Sequence, residues 1–235
     1  MPNLRNRSEH PEKMDDLSVP EGEVRKALAE IERINKWLGG YKVVIDALNR
    51  IDWPREPTVI MDLGSGGGDV LRAVSQWADK KQRRVRLVGI DMNPAMTRYA
   101  GNKSLKFPAI SFRTANVFDD ALLSDAPHIA MCSLFAHHFD RDDLVKLIVQ
   151  MNKLARRAVI INDLHRSRIA YHSIKALTTL FSKAELVKYD APLSVARSLT
   201  RKEWQQVMKD AGVKNYSIRW RWAWRWEIII DKQSF

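Results

Sequence analysis

The segment TVIMDLGSGGG, residues 58–68, limits what this chain can fold into more than any other stretch. Val59 to Leu63 is a short apolar run of the kind that forms a buried strand. It delivers Asp62 and then meets Gly64, Gly66 and Gly68, after which a helical pattern begins at Asp69. Glycine admits tight backbone geometry and lets a ligand approach the main chain without meeting a side chain. The helix that follows offers unpaired N–H groups at its start. The spacing predicts a strand, a turn and a helix with a ligand site at the junction. Two phosphate-binding readings fail on residue type. A dinucleotide fingerprint needs glycine at position 69, where Asp69 stands, and a phosphate-cradling loop needs a lysine followed by Ser or Thr. An acid in the first helical turn is also a poor neighbour for a pyrophosphate. The expected ligand is nucleoside-like and not phosphorylated.

The rhythm repeats. RVRLVGIDMN, AISFRTANVFD, HIAMCSLFAHHF and RAVIINDLH are further apolar runs. Helices are expected from Asp69 to Asp79, from Pro94, and after the cap Asp140, where Leu144, Leu147, Ile148, Met151 and Leu154 form one stripe. Strands alternating with helices predict an α/β fold, a parallel sheet covered on both faces. Ahead of it, Val24, Ala27, Leu28, Ile31, Ile34 and Leu38 predict a helix from Glu21 that Gly39-Gly40 breaks. A second helix runs from Tyr41 to Ile51, and Trp53-Pro54 and Pro57 end this prelude. Residues 1–20 are polar and are expected to order only by closing over something. Residues 166–199 are too long for a plain connection, and their apolar spacing predicts inserted helices. Thr200 and Glu203 form a capping box for a helix that Gly212 ends, and VKNYSIRWRWAWRWEIIID reads as strand.

The chain carries 39 Lys and Arg against 28 Asp and Glu, a net charge of +11, which favours polyanions or an anionic membrane surface without deciding the fold. The basic run KKQRRVR at residues 80–86 falls between a helix and the second strand, as a solvated loop. The single cysteine, Cys132, excludes an internal disulfide and a cysteine metal cluster. No 18-residue apolar stretch predicts a membrane span, and the charged start lacks a secretory core. A cytoplasmic location is expected.

Asp91 ends VGIDMN on the second strand, where a carboxylate can accept both hydroxyls of a ribose. With these motifs in order, residues 58–232 resemble the class I S-adenosylmethionine-dependent methyltransferases. The resemblance implies a seven-stranded Rossmann-like methyltransferase sheet with a C-terminal antiparallel hairpin, a helical N-terminal extension and a helical insertion after strand 5. It implies S-adenosylmethionine as cofactor and S-adenosylhomocysteine as product. Gly64, Ser65, Gly66 and Gly68 would line the methionine part and Asp62 would orient that loop. Asp91 would take the ribose, Met92, Asn116 and Val117 the adenine, and Ser133 would border the cofactor at the end of the fourth strand. Many relatives carry Asp where Asn116 stands. The hairpin is expected in residues 213–231 with its turn near Arg221 to Ala223. Strand alternation would then point the tryptophans to covering helices and the arginines elsewhere.

CSLFAHHF resembles the fourth-strand motif of small-molecule, quinone-type methyltransferases. MDD, INKWLGG, NDLHRS and PLSVARSLTRKEW resemble a bacterial subgroup associated with type III polyketide synthases and phenolic lipids. These likenesses imply O-methylation of a phenol, quinol or polyketide-derived phenolic lipid. C-methylation in quinone biosynthesis and RNA methylation are the alternatives. His137, His138 and His165 follow strands four and five, where open α/β sheets bind ligands, and each is either a general base or a structural hydrogen-bonding group. Asp163 either orients an imidazole or ends its strand. Trp37, Tyr41, Tyr171, Leu177 and Phe181 are the expected walls of a substrate pocket, and no metal site is expected. Residues 1–57 form the expected N-terminal lid and 58–235 the methyltransferase domain, with its cap at about 166–199. The expected partner is a small aromatic molecule rather than nucleic acid, with peripheral contact to a membrane as the charge allows. The chain is expected to act as a monomer or homodimer.

Overall fold

In the computed structural model, residues 4–53 and 57–232 are described. The strands are β1 (Thr58–Leu63), β2 (Val85–Asp91), β3 (Ile110–Thr114), β4 (Ile129–Ser133), β5 (Ala158–Leu164), β6 (Tyr216–Arg221) and β7 (Arg225–Asp231). They form one sheet in the order β3-β2-β1-β4-β5-β7-β6. β1 to β5 pair in parallel, and β7 runs antiparallel between β5 and β6. The chain winds outward from β1 in one direction and from β4 in the other. A crevice therefore opens between the carboxyl ends of β1 and β4, where ligands bind in such sheets.

Two apolar layers hold the sheet. Met61, Leu63, Ala130 and Cys132 pack on α5 (Arg141–Leu154) and α8 (Arg201–Asp210). Ile60, Leu87, Ile129 and Met131 pack on α3 (Asp69–Lys80) and on α2 (Gly40–Leu48). Neighbours in one strand thus face opposite layers, as the pleat requires. The capping box of Thr200 and Glu203 starts α8, and Gly212 follows its end in the left-handed region at φ 70°.

The remaining helices build a roof over the carboxyl ends. α1 (Glu21–Trp37) packs on α4 (Pro94–Lys103) and α7 (Glu185–Arg197), and α6 (Arg168–Phe181) packs on α7. The inserted segment is thus helical. α2 ends at Leu48 rather than Ile51 and belongs to the layer covering the sheet. The stretch from residue 4 to 20 is strapped over α7: Ser8 N–H donates to the Ala196 carbonyl at 3.0 Å, and Lys13 and Met14 N–H donate to Asp190 at 2.8 and 3.0 Å. Pro54, named as a helix stop, lies outside the described residues. Among those residues no helix is long and apolar enough to cross a membrane.

The hairpin departs from simple alternation. Its turn is Trp222 to Trp224, one residue later than expected. β7 is an interior strand, so Arg225, Trp226, Glu227 and Ile228 are all buried. β6 is the sheet edge, and Trp220 there and Trp222 in the turn are 48% and 65% exposed. Interior or edge position, rather than residue type, decides which tryptophans and arginines go inside.

Trp204 on α8 is fully buried in the larger layer. Trp204→Ala is expected to cost about 3–5 kcal/mol through the cavity it leaves. Urea unfolding monitored by circular dichroism measures this, and a loss under 1 kcal/mol would mean that α8 is not anchored there.

Candidate functional site

Gly64, Gly66 and Gly68 all adopt left-handed backbone, with φ of 69°, 48° and 71°. Their surroundings differ. A Cβ on Gly64 would fall 2.1 Å from the Phe135 ring and one on Gly68 2.5 Å from Phe112, so these two glycines permit close packing. Gly66 is open: its Cβ would meet only Leu28, at 3.8 Å. Gly64 and Ser65 N–H both donate to the Ile90 carbonyl, at 2.8 and 3.0 Å, which pins the loop to β2. Asp91 completes the junction, accepting from Gly66 N–H through Oδ2 and from Asn93 N–H through Oδ1, each at 2.9 Å. Burial raises the Asp91 carboxyl although both amides stabilise its charge.

A cavity of about 520 Å³ opens over this loop. Asp62, Gly64, Ser65, Gly66, Asp91, Met92, Asn116, Val117 and Ser133 border it, as do His137 and His138. Ser133 Oγ accepts from Asn162 Nδ2 at 2.7 Å, and Asn116 Oδ1 accepts from Phe118 N–H at 3.0 Å, which fixes the turn after β3. Asp62 is 2% exposed and its Oδ1 has no partner among the described residues. Burial, with the nearby charges of Asp69 and Asp91, pushes its carboxyl well above the usual range. Ser65 Oγ is also buried with no partner among the described residues. An open glycine and two unpaired polar atoms in one cavity fit the nucleoside donor implied by the sequence.

The far end of the cavity is titratable. His137 is buried, its Nδ1 lies 2.6 Å from Asp163 Oδ1, and its own N–H donates to Asp163 Oδ2 at 2.9 Å. Its Nε2 lies 3.4 Å from Glu12. Burial works against its charge, yet Asp163 and Glu12 push its pKa up to about 10. Asp163 moves the other way: burial would raise it, but the His137 charge and hydrogen bond hold it below the usual carboxylate range. The two form an ion pair, so His137 is no base at neutral pH. His138 is placed differently. Its Nδ1 lies 2.7 Å from Asp15 Oδ1 and its Nε2 3.8 Å from Glu12 Oε2.

Glu12, His137 and His138 bring three ligand-type atoms within 4.8 Å of one another, a grouping absent from the sequence expectation. Asp163 and Asp15 hold the two Nδ1 atoms, Ser194 donates to Glu12 at 2.9 Å, and the Arg197 guanidinium stands 4.0 Å from Glu12. That neighbouring cation disfavours a metal ion there.

Several expected residues lie elsewhere. Gly68 supports the loop from behind and does not border the cavity. The His165 ring packs on Trp226, with centroids 4.7 Å apart, and its N–H donates to the Trp224 carbonyl. It is held in the hairpin's packing. Trp37, Tyr41, Tyr171, Leu177 and Phe181 do not border the cavity either. The helices were expected in the right place but turned wrongly: Leu28, Ile31 and Ile34 of α1 and Ile174 of α6 face inward, while Trp37 and Phe181 are 62% and 66% exposed. Glu12, Asp15, Asn35 and Arg225 border the cavity unforeseen. For Glu12 and Asp15 the sequence signal is an acidic cluster ahead of α1 that caps no long helix.

Residues 60–158 match the family model of a methyltransferase domain. No curated protein matches the chain. Among solved structures, an O-methyltransferase family protein from Burkholderia thailandensis is similar at 16% identity and a TM-score of 0.68, covering 97% of this chain and 66% of its own. Human N-acetylserotonin methyltransferase, in complex with SAM, is similar at 14% identity and a TM-score of 0.65, covering 91% and 56%. A SAM-dependent methyltransferase from Aquifex aeolicus gives 14% identity and a TM-score of 0.62, covering 90% and 98%. This chain thus spans about half to two thirds of the length of the human and Burkholderia proteins. At these identities the likeness is one of fold.

His137 gives the site a pH signature. Its pKa lies above the ordinary histidine value of 6.5, so the stability it contributes is full below pH 6.5 and is lost as pH rises through about 10. The stability difference between wild type and His137→Gln should therefore shrink over that window. Urea unfolding at intervals from pH 6 to 10 tests it, and a constant difference would remove the ion pair. Residues 60–158 match the family model of a methyltransferase domain, and the seven-stranded sheet that contains them is similar in fold to solved S-adenosylmethionine-dependent methyltransferases.

Proposed function

We propose that this chain is an S-adenosylmethionine-dependent methyltransferase acting on the hydroxyl of a small aromatic acceptor: a phenol, a quinol or a polyketide-derived phenolic lipid. One observation carries the reading. His138, backed by Asp15, borders the same cavity as the glycine loop and Asp91.

The bound donor supplies an electrophilic methyl group on a sulfonium, open to direct displacement. Asp62, Asp69, Asp91, Glu12 and Asp15 border the cavity, and such an excess of acids suits a cationic ligand. Two of the Asp91 carboxylate's acceptor positions are taken by the loop and Asn93, which leaves lone pairs for ribose hydroxyls. Gly66 lets the ligand lie against the backbone. Val117 and Met92 also border the cavity and would flank the adenine.

On the acceptor side, Met14, Leu17, Ile31, Ile34, Ile174 and Val187 give an apolar wall suited to an aromatic ring or a lipid tail. With Asp15 accepting from Nδ1–H, His138 Nε2 carries the lone pair and takes the hydroxyl proton. The resulting imidazolium lies between the Asp15 and Glu12 carboxylates. Holding the two reactants in line supplies up to ~7–11 kcal/mol, and the base adds about 10²–10⁴-fold. The basic run at residues 80–86 precedes the cavity-distal end of β2, whose other end carries Asp91, which supports a small acceptor over RNA.

His138→Ala should lower kcat by about 10²–10⁴-fold while leaving the Kd for S-adenosylhomocysteine unchanged. Turnover with a panel of phenols and calorimetry check the two halves. Full turnover would leave proximity as the mechanism. Gly66→Val, with the strain of φ 48° added to a blocked backbone, should abolish S-adenosylhomocysteine binding, and wild-type affinity would overturn the loop's assignment.

A further inference from the structure

The outward side of α6 carries two exposed stripes of different chemistry. Ser167 starts the helix, its side chain accepting from Ala170 N–H at 3.1 Å. Ala170 and Thr178 turn inward and are buried, and Ile174 between them borders the cavity. The next stripe, Ile169, Ser173, Ala176 and Leu180, follows the spacing of one helical face. Ile169 and Leu180 on it are 67% and 74% exposed. Beside it runs a third stripe, Arg168, His172, Lys175 and Thr179, exposed throughout. No acid lies on α6, and the side chains of Arg168 and Lys175 make no ion pair among the described residues.

The neighbouring elements leave those cations available. Glu30 of α1 is taken up at the end of α6, accepting from Ser182 Oγ and from Lys183 N–H. Glu185 pairs with Lys188 at 2.7 Å. Just before α6, His165 N–H donates to the Trp224 carbonyl, and Trp222 of the same turn packs beside Gly39. These contacts bring the exposed Trp37 and Trp222 close to the start of the helix.

Exposed aliphatic groups with cations along one side and tryptophans at one end match one partner chemistry, an anionic lipid bilayer. Acyl chains take the aliphatic groups, headgroup phosphates take the cations, and tryptophan rings sit at the boundary. A nucleic acid would use the cations but offers Ile169 and Leu180 nothing, since its bases stack on aromatic rings. A second copy of this chain about a two-fold axis would set the basic stripe against itself, on chains that each carry +11.

We infer that the outer face of α6 seats this protein on anionic membrane surfaces, with Ile169 and Leu180 entering the interface and Arg168 and Lys175 at the headgroups. Docking by this face goes beyond the reading above and holds whatever the acceptor is. For a lipid-tailed acceptor it has a further consequence, because the inner side of the same helix carries Ile174 on the apolar wall of the cavity.

Cosedimentation with lipid vesicles tests it. Wild type should bind phosphatidylcholine vesicles containing phosphatidylglycerol at least about tenfold more tightly than phosphatidylcholine alone, and added salt should weaken the binding. Ile169→Ser with Leu180→Ser keeps the charge and should lose about tenfold or more. Arg168→Gln with Lys175→Gln should lose about as much. Lys81→Gln with Arg84→Gln removes the same charge from the turn between α3 and β2 and should change little. Unchanged circular dichroism and unfolding midpoint in each variant assign a loss to the surface rather than to folding. Equal binding of both vesicle types by wild type would overturn the inference. Equal losses from the two cation pairs would do so too, since attraction would then follow net charge alone. Size-exclusion chromatography that finds a wild-type dimer, dissociated by Ile169→Ser with Leu180→Ser, would give the face to a second copy and overturn it as well.

Discussion

The ion pair between His137 and Asp163 is the interaction on which the histidine end of the cavity depends. It joins the turn after β4 to the end of β5 by side chain and main chain together. Arg7 and Arg197 both donate to the His137 carbonyl, so the N-terminal strap and α7 close on the same residue. Each partner is disfavoured by burial alone, and only their mutual attraction keeps both charged. Because His137 is fixed on every side, its neighbour His138 is delivered to the cavity at a set angle. One histidine is held by structure, and the next borders the cavity.

Charge in this molecule is arranged by place and not by total. The chain carries +11, yet the cavity is bordered by acids from β1, β2, α3 and the N-terminal strap. The basic excess is distributed over the outside, while inside a buried acid is met by neighbouring arginines. Glu227, fully buried on β7, lies between Arg50 and Arg221, and Arg221 also donates to Asp46 at 2.6 Å. A positive exterior and a negative cavity have separate consequences: the first concerns surfaces and solubility, the second the ligand.

The parts legible in the sequence are those whose cause is local. The turn of residues 64–68 follows from glycines needed for left-handed backbone, and Asp91 from its position at a strand end. The strand–helix alternation is a short-range pattern, and it yields the sheet. The cavity walls are illegible in the sequence because a helix's existence does not fix its rotation. Ile31 and Ile34 face the cavity while Trp37 faces solvent, although all belong to α1. Glu12 and Asp15 act on residues more than a hundred positions away, and nothing in a single sequence reports that contact. His165 shows the limit most plainly. It directly follows the end of β5, and its ring is claimed by Trp226.

The alternating arginines and tryptophans at residues 219–226 have the composition of a nucleic-acid patch and the structure of a sheet's closing edge. Arg221 is consumed by Asp46 and Glu227, and Trp226 donates through Nε1 to the Leu199 carbonyl at 2.8 Å. A patch that binds polyanions needs its guanidinium groups outward and unpaired. Here two of the three arginines are turned to internal work, and the buried one, Arg225, faces the cavity with N–H groups to spare. An interior strand places successive side chains on alternate covered faces. The same pair, Arg225 and Trp226, can therefore border the ligand cavity on one face and hold His165 and α8's approach on the other, which joins the last strand of the fold to the site built by the first.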